Sequence, residues 1–105
     1  MSYVVSTVRD VTFKFSASKE TTRTASETIA GPAESGLITI ALQSYDFAYS
    51  GQRNFDFGQM AVQLSIVRDP NRWRAVCTAT MRDDKKDQRQ WEGSVVALVQ
   101  HLAPA

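Results

Sequence analysis

Between Tyr45 and Phe57 the chain gathers Tyr45, Phe47, Tyr49, Phe55 and Phe57 around Gln52, Arg53 and Asn54. Aromatic faces stack on the apolar faces of sugar rings, while amides and a guanidinium bond hydroxyl groups. The same residue types suit a protein interface. They also suit a core that takes in Tyr45, Phe47 and Phe57, and at this point all three readings stay open. A second polar stretch, Arg82-Asp83-Asp84-Lys85-Lys86-Asp87, is followed closely by Glu92. Calcium favours several oxygens from one loop. Here Lys85 and Lys86 interrupt the carboxylates, and no glycine permits a sharp turn, so a solvated charge run is expected and no metal site.

Nucleophilic chemistry has little to work with. Cys77 is the single cysteine and His101 the single histidine. Cys77 lies in an apolar, strand-like run, which predicts a buried and inert thiol and excludes an internal disulfide. One histidine with one distant cysteine cannot make a zinc site. No pair of carboxylates is marked out for glycoside hydrolysis. The chain is therefore expected to be no enzyme and to need no cofactor.

Composition sets outer bounds. The 105 residues are 43% hydrophobic and 22% charged, with a net charge of +1. That is the make-up of one globular domain, here residues 1–105, and not of a disordered chain. Absence of a basic block gives no electrostatic case for nucleic acid or an anionic membrane. No apolar run reaches the ~18 residues of a helical membrane span. Met1-Ser2-Tyr3-Val4-Val5 lacks the plan of a signal peptide, and the location is left open. A chain this short buries only about 65% of its unfolded surface, so burial against another subunit would add materially to its stability.

The elements that must position these groups read as strands. Apolar side chains alternate with period two, and β-branched and aromatic types dominate. Six strands are predicted, over about Tyr3–Ser16, Arg23–Ala30, Leu37–Tyr49, Gln59–Ile66, Arg72–Arg82 and Trp91–Leu102. Apolar phase slips near Arg9-Asp10 and again near Gln43-Ser44, each predicting a β-bulge. The second strand is polar enough for a sheet edge. Met60, Val62, Leu64 and Ile66 alternate against Ala75, Cys77 and Ala79 across the turn at Asp69-Pro70-Asn71; a hairpin with one dry face follows, and these seven are the expected core. Trp73 and Trp91, beside turns, are read as rim residues with the indole N–H reaching water. The last strand is apolar on both parities: Val95, Ala97 and Val99 on one, Val96, Leu98 and Leu102 on the other. An antiparallel sandwich covers one face of each strand, so Val96, Leu98 and Leu102 are candidate interface residues. The expected fold is an all-β, six-stranded antiparallel β-sandwich.

This layout resembles the H-type lectins over roughly two thirds of the chain. The features that carry it are Leu42-Gln43-Ser44-Tyr45-Asp46 with Gln52-Arg53-Asn54, the strand pair Met60–Ile66 and Trp73–Met81, and the polar loop from Arg82 to Gln90 before the closing strand Trp91–Gln100. The resemblance implies a sandwich that associates as a trimer and binds N-acetylgalactosamine-type sugars near the subunit interface. Asp46 and Arg53 would stand for that family's aspartate and arginine. The second loop departs, because Arg82-Asp83-Asp84 carries no aromatic or histidine.

The functional expectation is a non-catalytic, oligomeric binding module, with glycans as ligand. Its candidate ligand-binding residues are Asp46, Tyr49, Gln52, Arg53, Asn54, Arg82 and Asp83. Its expected partner is itself, as a homo-oligomer with a trimer favoured, and neither nucleic acid nor membrane insertion is expected. The competing expectation is a structural subunit of a larger assembly, such as a phage, injection device or filament, without sugar binding.

Overall fold

The computed structural model describes residues 2–30, 36–49, 57–70, 72–83 and 90–104. These residues form six strands: β1 (Tyr3–Ser18), β2 (Thr22–Ala30), β3 (Leu37–Tyr49), β4 (Phe57–Asp69), β5 (Arg72–Asp83) and β6 (Trp91–Pro104). They make two three-stranded antiparallel sheets, β1-β6-β3 and β2-β5-β4. The closing strand β6 is central in the first sheet and the most regular strand, β5, is central in the second. The polar β2 is an edge, as its composition requires.

One cluster of buried side chains draws on both sheets. Val11, Phe13, Phe15, Tyr49, Trp91, Val95, Ala97 and Val99 come from the first; Ala75, Cys77, Ala79 and Met81 come from the second. Trp91, Phe13 and Met81 are the largest fully buried side chains, each stabilising by roughly 1.5–3 kcal/mol through burial. The face of each sheet that joins this cluster is called inward below, and the other outward.

The bulge expected near Gln43-Ser44 is present. Pairing of β3 with β6 runs Leu42↔Ala97 and then Ser44↔Val96, which leaves Gln43 extra. The insertion brings Tyr45, Phe47 and Tyr49 onto the inward face already held by Ile38 and Ile40. The slip read at Arg9-Asp10 is not a bulge. Register with β6 is continuous from Thr7 to Phe15, and the irregularities lie between Val5 and Thr7 and between Phe15 and Ser18. Val8 is apolar because it faces outward opposite Gln100, while Val11, Phe13 and Phe15 face inward. Two apolar faces mimic a phase slip in the one-dimensional pattern.

The expected hairpin core holds for β5 and only partly for β4. Ala75, Cys77 and Ala79 are fully buried, whereas Met60, Val62, Leu64 and Ile66 are half-buried. Their parity is right; β4 is an edge strand, so its inward side chains have a neighbour strand on one side only. At the β4–β5 turn, Arg72 N donates to Asp69 Oδ1 at 2.9 Å, and Arg74 Nε lies 3.3 Å from Asp69 Oδ2.

The rim reading of Trp91 is overturned. Its side chain is fully buried, and the indole Nε1–H donates to the Glu20 carbonyl at 2.7 Å instead of to water. The Arg23 guanidinium, from β2 in the other sheet, lies over the ring with its carbon 3.8 Å from the centroid. Arg23 Nη2 donates to the Trp91 carbonyl at 2.7 Å, and Nη1 donates to the Ser16 carbonyl. Phe15 and Phe47 complete the aromatic group, with centroids 5.9 and 5.4 Å from that of Trp91. Gly93 makes this group possible: it pairs with both Phe15 and Phe47, and a Cβ there would collide with the Asp46 carbonyl and the Phe47 ring.

Candidate functional site

The outward faces of the two sheets differ in chemistry. On β2-β5-β4, Thr22 and Thr80 hydroxyls are hydrogen bonded at 3.1 Å, and Thr24 and Thr78 at 3.2 Å. Gln63 and Ser65 continue this polar surface on β4, opposite Thr78 and Val76. Threonine pairs of this kind stabilise a wetted sheet face.

On β1-β6-β3 the outward rows run across all three strands. Val5 pairs with Leu102, which pairs with Leu37. Val8, Gln100 and Thr39 form the next row, Asp10, Leu98 and Ala41 a third, and Thr12, Val96 and Ser44 a fourth. Val5, Val8 and Leu37 are 54%, 53% and 48% exposed. Val96, Leu98 and Leu102 are half-buried because their own neighbouring strands flank them. All three candidate interface residues thus lie on one outward face, where they and the exposed Val5, Val8 and Leu37 are interspersed with Gln100, Thr39, Asp10, Thr12 and Ser44.

Beyond these rows the same face turns polar. Lys14, Ser94 and Asp46 make the next row in register. They line a shallow depression of about 650 Å³, with Phe15, Ser16, Ala48, Glu92 and Gly93 also in its lining. Asp46 is exposed and supplies two acceptor oxygens, Lys14 supplies donors, and the Ser94 hydroxyl does either. Such a row can bind a hydroxyl-bearing ligand by hydrogen bonds. Lys14 and Ser94 were not singled out by sequence reading, and Glu92 was noted only for its nearness to the acidic loop. Continuous pairing of β1 with β6 through Lys14, together with the bulge at Gln43 in β3, puts Lys14 and Ser94 beside Asp46.

The other candidate ligand residues do not gather there. Tyr49 is buried on the inward face, paired with Trp91. Tyr45 and Phe47 also face inward, stacked at 5.9 Å on each other, so neither ring lines the depression. Arg82 is exposed at the end of β5, on the outward face of the opposite sheet. Asp83 ends β5, paired with Phe57. Gln52, Arg53 and Asn54 lie outside the described residues, as do Asp84 and Asp87 of the acidic loop.

Cys77 has no exposed surface, and burial pushes its thiol up to about 11 from 9.0. A thiol held neutral in this way is a poor nucleophile. Burial also pulls the Arg23 guanidinium downward, with the Glu20 carboxylate opposing that effect. Among the described residues no group of three or more His, Cys, Asp or Glu side chains is placed to hold a metal ion. No helix among them is long and apolar enough to cross a membrane. No family model, no curated protein and no solved structure matches the chain, so the site stands on its own geometry.

Proposed function

We propose that this chain is a small β-sandwich which associates with copies of itself through the outward face of β1-β6-β3 and acts as a non-catalytic binding module. The observation that carries the reading is the contrast between the two outward faces: a threonine ladder on one, the row Val5–Leu102–Leu37 with Leu98 and Val96 on the other. A single cluster shared by both sheets supports the sandwich.

Shape and area favour a second copy as the occupant. A 105-residue domain ordinarily has a radius of gyration of about 13 Å; here it is 16.4 Å, in a slab of 52 × 24 × 18 Å. A monomer of this mass ordinarily exposes about 5,900 Å², and this chain exposes 6691 Å². The excess is comparable to the roughly 800 Å² that each partner buries in a standard interface. Cyclic closure, most simply a trimer, covers this face in every copy and leaves no sticky surface.

The ligand in this reading is a carbohydrate, bound at the row Lys14–Ser94–Asp46 beside that interface. Its hydroxyl groups match the acceptors of Asp46 and the donors of Lys14 and Ser94. The test is a glycan array with the intact oligomer, in which Asp46→Ala abolishes the signal. A second reading, a structural subunit of a larger particle, is favoured by the length of the edge strands β3 and β4, 13 residues each. A large ordered particle with no glycan signal would select it.

A further inference from the structure

We propose that the cleft between the two sheets at Ser6, Arg9 and His101 binds a small organic carboxylate, its charged end at Arg9 and its hydrocarbon end over Ile38 and Val99. The cleft lies on the inward faces, so it is separate from the outward row at Asp46. It goes beyond the lectin-like reading and does not depend on it.

Three features build the site. First, the inward row Thr7–His101–Ile38 and the adjacent row of Arg9, Val99 and Ile40 are each in register across β1, β6 and β3. Ile29 of β2 closes over part of them, and the resulting cavity is about 310 Å³. That is near the lower end of small-molecule pockets, about 300–1,000 Å³, and fits a short acyl chain.

Second, the irregularity between Val5 and Thr7 turns the Ser6 hydroxyl toward the cavity. Ser6 Oγ and His101 Nδ1 are hydrogen bonded at 3.2 Å, which fixes the imidazole plane. Bulges commonly re-aim a side chain toward a functional site in this way.

Third, Arg9 is held and its charge is unmatched. Nη2 donates to the Thr28 carbonyl at 3.2 Å, which orients the guanidinium from β1 toward β2. A guanidinium carries five N–H donors in a planar fork, so one carbonyl does not exhaust it. Among the described residues no carboxylate is within ion-pair distance of Arg9, and none lines the cavity. Asp10 faces outward opposite Leu98; Glu27 shares the inward face of β2 with Ile29, paired with Ala75, but it is exposed, makes no ion pair with Arg9 and is outside the lining. A cation beside Ile29, Ile38 and Val99 selects an anion with an apolar body. A carboxylate suits the planar fork and leaves that body over the isoleucines.

The test is an amide NMR titration of the full chain with sodium butyrate, beside butan-1-ol, butylammonium chloride and sodium chloride at matched ionic strength. Saturable shifts at Thr7, Arg9, Ile38, Val99 and His101 are expected with butyrate alone. Arg9→Gln should weaken binding about tenfold or more, as the loss of a charge-assisted contact does. Asp46→Ala should leave the titration unchanged, which separates this site from the carbohydrate reading. An equal response to butan-1-ol, undiminished binding by Arg9→Gln, or no saturable shift would overturn the proposal. Should Arg9→Gln fail to fold, the comparison of the three four-carbon probes decides by itself.

Discussion

The Arg23 guanidinium stacks on the buried indole of Trp91 at 3.8 Å and donates to the same residue's carbonyl at 2.7 Å, so one side chain of β2 grips both the ring and the backbone of β6. The two strands belong to different sheets. This contact, with Trp91 Nε1 donating to the Glu20 carbonyl, ties the sheets together at the end where the aromatic group lies. A cation over an indole is worth about 0.5–2 kcal/mol and rises as the pair is desolvated.

Arg23→Ala should therefore cost about 2–4 kcal/mol, the stacking and the two carbonyl contacts being lost together. Arg23→Lys should recover less than half of that, because an ammonium keeps the charge but lacks the planar fork. Urea unfolding midpoints of the three proteins check this. A lysine variant as stable as the parent would show that charge alone matters here.

Gly93 is the second point at which a small change should be costly. A methyl group there meets the Asp46 carbonyl and the Phe47 ring, and lies 2.9 Å from the Phe47 backbone. Backbone cannot rotate away as a flexible side chain can. Gly93→Ala should destabilise by about 1–3 kcal/mol, the usual range for overpacking, and should shift the near-ultraviolet circular dichroism of Trp91. An alanine variant with unchanged stability would mean that β3 and β6 separate more easily than their register implies.

Cys77 predicts a pH dependence. Its folded-state pKa is raised to about 11 from 9.0 by burial. Below pH 9 the thiol is neutral in both states and the protonated form is fully accommodated. As pH rises through that value, the unfolded chain ionises first, and stability falls until the folded pKa is reached. Loss on the order of 2 kcal/mol is expected across this window. Tyrosines and lysines titrate nearby, so the measurement is the difference from Cys77→Ala in urea midpoints at pH 7 and pH 10.5. An identical fall in the two proteins would contradict the assignment. A native thiol that reacts rapidly with an aromatic disulfide at pH 7 would contradict its burial.

How far the sequence could be read depended on which physical signal each residue carried. The strand positions followed from alternation, and the bulge at Gln43 followed because Ile38–Leu42 and Tyr45–Tyr49 change phase. The same signal misled at Arg9-Asp10, where Val8 and Val11 are apolar for opposite faces. Trp91 looked like a rim residue because it follows a charged loop; nothing local announces Arg23, 68 positions away, as its partner. Val96, Leu98 and Leu102 were legible as an outward face, but the flanking Val5 and Leu37 emerge only from cross-strand register. The proposed ligand site was the least legible. Asp46 entered through the resemblance, whereas Lys14 and Ser94 join it only once β1, β6 and β3 are aligned.

Asp46→Ala offers a check on that site which does not disturb the core, since Asp46 is exposed. Thermal stability should change by less than about 0.5 kcal/mol, as for other surface substitutions, while any glycan-array signal disappears. Retention of the signal would remove Asp46 from the site. Loss of stability without loss of signal would make it structural.

Sedimentation equilibrium of the unmodified chain tests the central claim most directly. Self-association through the outward face of β1-β6-β3 predicts a single species at an integer multiple of 11.7 kDa, three being favoured. Leu98→Glu, which sets a second carboxylate beside Asp10 at the centre of this face, should shift it to 11.7 kDa with the far-ultraviolet β signal retained. An unmodified protein that sediments as a monomer at all concentrations would contradict the claim, and the row Val5–Leu102–Leu37 would then be a surface facing water.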